Sequence, residues 1–371
     1  MTAAALVQPR TEIRSLQVLR LLAAVMVVIG HVIDILQRGH VQGLAPIVDP
    51  TRMPWHSGVD IFFVVSGFVM YFLMAGRFAE PGVTRQFLWR RLVRIAPLYW
   101  IFTILALATM VAIPGQVNKT ALAWDHILAS FAFVPWQGPE GLAPILSVGW
   151  TLNFEMLFYG VFALALMFPR RVGLTIMALI FAALILNSRY GFQDFTPLTV
   201  WGFPIILEFA FGIGLAALYI GGVRLPSWAR LALLVVGVSL LIIAGRLSLE
   251  GFQVRWYAWG IPGALIVAAF VLGRDLADSP ATRILVIGGN ASYALYLSHL
   301  FTLRGVGMAW ERTGWSSPHL YALIAVAASI AVGVVVHLYL ERPILNGLRT
   351  LPERWANQKA RQVVVADDRQ H

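Results

Sequence analysis

The stretch LQVLRLLAAVMVVIGHVI, residues 16–33, decides the fold. With its flanks it reaches the roughly twenty apolar residues that cross a hydrocarbon core as one helix. Yet it carries Arg20 and His31, and a charged side chain near mid-bilayer costs roughly 2.5–3.5 kcal/mol on insertion scales. At about 100° per residue, the step from position 20 to position 31 is three turns plus roughly 20°, so both residues share one face. The rise of about 1.5 Å per residue sets them roughly 16 Å apart along it. Such a stripe predicts a spanning helix whose polar face lines a cavity instead of meeting lipid.

Working outward, the 371-residue chain is 59% apolar and only 12% charged, where a soluble globule has about a quarter of its residues charged. Apolar windows recur at 16–37, 57–76, 95–113, 146–168, 172–188, 198–220, 231–246, 256–273, 284–302 and 318–341. The expected fold is therefore an all-α polytopic membrane protein with about ten transmembrane helices. A net charge of +10 would point to nucleic acid in a soluble domain, but here the arginines cluster between apolar runs, which makes them topology signals and excludes a nucleic-acid partner. With the N-terminus in the cytoplasm and sides alternating, about 20 Lys and Arg fall inside and about 8 outside, so both termini are expected in the cytoplasm. The resulting organisation is a short cytoplasmic segment over 1–15, a membrane domain over 16–343 and an Arg-rich cytoplasmic tail over 344–371. The first span holds an arginine and no small-x-small cleavage site follows it, so it is expected to remain as helix one.

The chain has no cysteine, which removes disulfides, thiolate nucleophiles and Cys-based metal centres. No His-x-x-x-His pair replaces them, and no metal is expected. The absence of an internal repeat leaves inverted-repeat transporter logic without support. The outer loop at 114–145 is rich in Pro and Gly and contains HILASFAFVPW, residues 126–136, too brief to cross and expected as a re-entrant or surface helix.

The same depth arithmetic puts Asp60, Glu155 and His299 with His31 in the outer half. Arg20 and the run RQFLWRRLVR, which holds Arg85, Arg90, Arg91 and Arg94, fall at the inner mouth. This separation fits a polyanion entering from one face while proton transfer takes place nearer the other. Each residue also has a plainer reading: a lone His or Glu in a bundle hydrogen-bonds across helices, and inner arginines set topology. Asp34, one turn outward of His31, is placed to orient its ring, whereas Glu208 and His337 suggest only interior hydrogen bonding.

SLQVLRLLAAVMVVIGH, GVDIFFVVSGFVM, RRLVRIAPLYW, SVGWTLNFEMLFY and NASYALYLSHLF together resemble the acyltransferase-3 family of integral-membrane O-acyltransferases. Each motif is loose alone, and their order and spacing from Leu16 to about Pro343 carry the likeness. The resemblance implies transfer of an acyl group, acetyl above all, from cytoplasmic acetyl-CoA to a sugar hydroxyl. It further implies a bacterial inner-membrane location, a glycan or glycolipid acceptor and contact with polysaccharide assembly proteins. The style of the segments looks most like the exopolysaccharide O-acetyltransferase branch, and the chain is expected to lack the SGNH hydrolase-like domain that some members carry.

Acyl transfer needs a base for the hydroxyl proton and a place for the negative charge of the tetrahedral intermediate. His31 is the expected base, an imidazole having an ordinary pKa near 6.5, with Asp60 or Glu155 fixing its tautomer; a covalent acyl-histidine is the variant. Arg90, Arg91 and Arg94 are the candidates for the donor's phosphates, with Arg20 beside the pantetheine arm. His299 and Tyr293, from the last matched segment, complete the candidate set. Acylation of a macrolide or other small glycoside would use the same residues. A lipid or glycan flippase would also line a cavity with Arg and His, and would need no acyl donor.

Overall fold

The computed structural model describes residues 12–47, 49, 51–112, 123–138, 141–191 and 196–349. Most of the expected N-terminal segment, part of the 114–145 loop and the tail beyond Arg349 lie outside the described residues.

With no water in a bilayer core to take up backbone N–H and C=O groups, apolar windows of this length close their hydrogen bonds internally as helices. α1 covers Arg14–Gln37, and a 3₁₀ turn at Trp55–Ser57 leads into α2, Gly58–Met74. α3 is Val83–Ala112, α4 the short Trp124–Phe131, α5 Trp150–Ala165, α6 Arg170–Tyr190 and α7 Thr196–Trp201. α8 is Leu207–Ile220 and α9 Ser227–Arg246. α10, Phe252–Arg255, continues through a π turn at Trp256–Gly260 into α11, Ile261–Val271. α12, Pro280–Asn290, and α13, Ser292–Glu311, follow, then α14, Pro318–Val336, which runs through a second π turn at His337–Glu341 into α15, Arg342–Arg349. No strand occurs among the described residues.

Eight of these segments are long and apolar enough to cross a membrane, and α12 with α13, bent by 66°, passes the same test only when the pair is taken together. The shorter apolar run Pro204–Ile220 coincides with the remaining window read from the sequence. Two boundaries differ from expectation. α3 begins at Val83, so the arginine cluster is helical; its 30 residues make a rod about 45 Å long, well beyond the hydrocarbon thickness. The last helical run continues past Pro343 to Arg349. α4 overlaps the first half of the expected surface piece and is tied to α3 by Tyr99 Oη donating to the Ser130 carbonyl at 3.1 Å and Trp100 Nε1 to that of Phe131 at 2.9 Å.

Loops that alternation puts on the same side touch. The Asp275 carboxylate accepts from the backbone N–H of Arg14 and Ser15 at 2.9 and 2.8 Å, capping α1 from the α11–α12 loop. At the opposite end Gln42 N–H donates to Glu311 at 3.0 Å.

α2 is the inner helix of the bundle and packs along α8. A Cβ on Gly67 would overlap the Phe209 carbonyl, and one on Gly212 the Val64 carbonyl, so the two backbones touch reciprocally through glycine.

Candidate active site

α1, α2, α3, α5 and α13 enclose a cavity of about 150 Å³. Of the stripe expected on α1, Arg20 lines the cavity and donates to Gln17 at 3.0 Å, whereas His31 is not in the lining. From α3 come Arg91 and Arg94, one turn apart, while Arg90, on another face of the helix, is exposed and not in the lining. Arg91 Nε is buried without a hydrogen-bond partner. Arg94 is ion-paired with the buried Glu341, whose other oxygen lies 2.6 Å from His337 Nδ1. Arg94 also stands 5.6 Å from the centre of the Tyr293 ring, and the Tyr293 hydroxyl donates to the Ile95 carbonyl at 2.8 Å. The π turn at the end of α14 brings Glu341 and His337 to this group. Their i,i+4 spacing was visible in the sequence, but its arginine partner was not.

Glu155 stands with the arginines and not with the histidines. It lines the same cavity as Arg20, Arg91 and Arg94, and accepts hydrogen bonds from Ser66 Oγ at 3.0 Å and from Tyr159. The long stems of the arginines reach to its level, which depth counted along the backbone does not capture.

Asp60 is fully buried on another side of α2. Ser66, which faces the cavity, is six residues further on, or about 600°, which turns Asp60 roughly 120° away. There Arg255 clamps it, Nε at 2.9 and 3.1 Å from the two carboxylate oxygens and Nη2 at 2.7 Å. The guanidinium lies 4.2 Å from the Trp259 ring centre, and Glu208 packs against the same pair. Asp60 is thus one half of a buried ion pair and does not reach His31, a correction to its expected place as the residue that fixes the His31 tautomer.

The histidines gather where α1 ends. The His31 ring lies 4.7 Å from that of His56 and 5.1 Å from that of His299, centre to centre. His299 Nδ1 sits 2.7 Å from the Tyr296 carbonyl, which only accepts, so the proton is on Nδ1 and the buried, unpartnered Nε2 carries a lone pair. Asp34 accepts from His56 Nε2 at 3.0 Å and lies 3.7 Å from His31 Nδ1. His56 escaped the sequence reading because it precedes α2 in a 3₁₀ turn, outside any helical register. The one local hint is Gly30: a Cβ there would meet His56 at 3.0 Å, so the Gly-His pair of α1 makes room for a second imidazole.

Tyr296 joins the two groups. It lines the cavity, its hydroxyl lies 3.0 Å from Thr151 Oγ1 and 2.9 Å from the Val148 carbonyl, and its ring centre is 5.9 Å from that of His299. The cations thus line the cavity, while the histidines lie outside its lining and reach it only through the contact of His299 with Tyr296.

The acyltransferase domain of the acyltransferase-3 family matches residues 13–338. The chain belongs to the acyltransferase-3 family. It is a membrane acyltransferase, and the flippase alternative falls away. It is similar to the exopolysaccharide production protein ExoZ of Rhizobium meliloti (strain 1021), 34% identical over 301 residues that make up 78% of this chain and 89% of that protein. No solved structure matches. The family's match extends over every helix that lines the cavity and takes in His337 but not Glu341, the partner of Arg94.

Proposed function

We propose that this acyltransferase moves an acetyl group from acetyl-CoA to a hydroxyl of an exopolysaccharide at the bacterial inner membrane, with the segments 1–15 and 344–371 in the cytoplasm. The observation that carries the reading is one cavity lined by Arg20, Arg91, Arg94 and Tyr296, with the Tyr296 ring against His299, which in turn packs on His31. The likeness to ExoZ supports the acceptor class.

The donor's phosphates meet Arg91, whose Nε has no other partner, and Arg94, whose carboxylate partner a phosphate replaces. A cavity of about 150 Å³ is well below the 300–1,000 Å³ of a usual ligand pocket, so it takes the slender pantetheine arm past Arg20 and leaves the nucleotide outside. At the far end His31, oriented by Asp34, accepts the hydroxyl proton as the sugar oxygen attacks the thioester carbonyl. The C–O bond forms, the C–S bond breaks, and the imidazolium returns its proton to the departing thiolate.

Purified protein with radiolabelled acetyl-CoA and a soluble exopolysaccharide acceptor should yield labelled glycan. His31→Ala should yield none while inserting normally. Transfer by that variant at the wild-type rate would remove His31 from the chemistry, and label appearing only on a macrolide acceptor would change the substrate class.

A further inference from the structure

We infer that His31, Asp34 and His56 form a binding site for one divalent transition metal ion of the zinc type, and that occupancy switches transfer off. One donor atom from each lies within 4.8 Å of the others, and the Asp34 carboxylate already faces His31 Nδ1 and His56 Nε2. Two imidazoles and a carboxylate are a zinc donor set, and a tetrahedral ion with bonds of about 2.0–2.1 Å holds its ligands roughly 3.3–3.5 Å apart. The present separations from Asp34, 3.0 Å to His56 and 3.7 Å to His31, bracket that spacing.

The three side chains are 28–36% exposed, which leaves an entry path for an ion and a fourth coordination position for water. Gly30 leaves space for the His56 ring against α1. His299 packs against the His31 ring with an unpartnered, fully buried nitrogen. Arg38 is the nearby cation on α1 and opposes the ion's charge, which Asp34 offsets.

Binding needs both imidazoles neutral at the ligating nitrogen. The His56 proton that now bridges to Asp34 transfers through solvent from Nε2 to Nδ1. Coordination of His31 through Nδ1 likewise fixes its proton on Nε2 and removes the lone pair that accepts the hydroxyl proton. The inhibitory half of the proposal rests on His31 being the base, and the binding half does not. Hard cations such as Mg²⁺, which prefer all-oxygen shells, should not compete.

The test is a Co²⁺ titration of the purified full-length protein in lipid nanodiscs, followed by visible absorption. The wild type should saturate at one equivalent with the intense bands of tetrahedral cobalt, Zn²⁺ should abolish them at low-micromolar concentration, and Mg²⁺ should not. Asp34→Asn and His56→Gln should each lose the bands, and zinc-edge absorption of the wild type should show a nitrogen and oxygen shell near 2.0 Å. In the transfer assay Zn²⁺ should stop labelling and a chelator should restore it. Absence of saturable Co²⁺ bands in the wild type, or their retention in both variants, would overturn the site. Loss of transfer on chelation would overturn the inhibitory role while leaving the site standing.

Discussion

A buried charge in this bundle is tolerated only beside its partner, and Asp60 with Arg255 is the clearest case. Removing the guanidinium leaves Asp60 and the adjacent, fully buried Glu208 without a cation, and breaking such a pair costs about 3–5 kcal/mol. Arg255→Met should therefore lower the melting temperature and the folded yield in detergent sharply; a variant as stable as the wild type would show the pair to be dispensable. Arg91 and Arg94 call for a different readout, because they face the cavity. Replacing both with Ala should raise KM for acetyl-CoA strongly, each charge-assisted hydrogen bond being worth about 1.5–3 kcal/mol, and should leave the acceptor KM unchanged. Wild-type affinity for CoA in a correctly inserted double variant would sink the donor site. Glu155→Gln keeps an acceptor for Ser66 and Tyr159 but removes a negative charge beside Arg20 in the cavity proposed for the donor, so KM for acetyl-CoA should fall; an unchanged KM would show the charge to be remote from the donor.

Two elements are held by features that a single substitution can probe. α2 and α8 meet backbone to backbone at Gly67 and Gly212, where a Cβ has no room. Gly212→Val should separate the two helices and destabilise by at least the roughly 1–3 kcal/mol of ordinary overpacking, seen as a lower melting temperature. The π turn His337–Glu341 swings the Glu341 carboxylate onto Arg94, the group proposed to receive a phosphate. Glu341→Gln should then lower KM for acetyl-CoA, by up to about tenfold if roughly 1.4 kcal/mol of competition is relieved. An unchanged or higher KM would show Glu341 to be part of the donor site and not its competitor.

Across the whole molecule, contacts between loops agree with simple alternation of sides: Asp275 caps α1 at one end, and Glu311 meets Gln42 at the other. With both termini proposed in the cytoplasm, reporter fusions after Phe78 and after Gly222 should score inside, and one after Gly138 outside. The reverse pattern would place the arginines at the outer face and overturn the route proposed for the donor. The cavity that holds Arg20, Arg91 and Arg94 also needs five helices at once, so it exists only in the assembled bundle.

Ten apolar windows, the shared face of Arg20 and His31 and the resemblance of five segments could be read from residue order, because lipid leaves a long apolar run no alternative to a helix and 3.6 residues per turn fixes which positions align. Partnerships could not. Asp60 and Arg255 are 195 positions apart and Arg94 and Glu341 247 apart, and no local periodicity reports which helix a side chain will face. His56 lies in a turn, so it reached His31 only through the packing of α2 against α1. Glu155 moved from the expected outer group to the arginines for a similar reason, since the packing of α5 against α1, α2 and α3 around one cavity sets which charges meet. Sequence thus determined the helices and the polar stripe, while tertiary packing decided which charge neutralises which and which imidazoles share a carboxylate, because in a low-dielectric interior those pairings are settled by distances of a few ångströms.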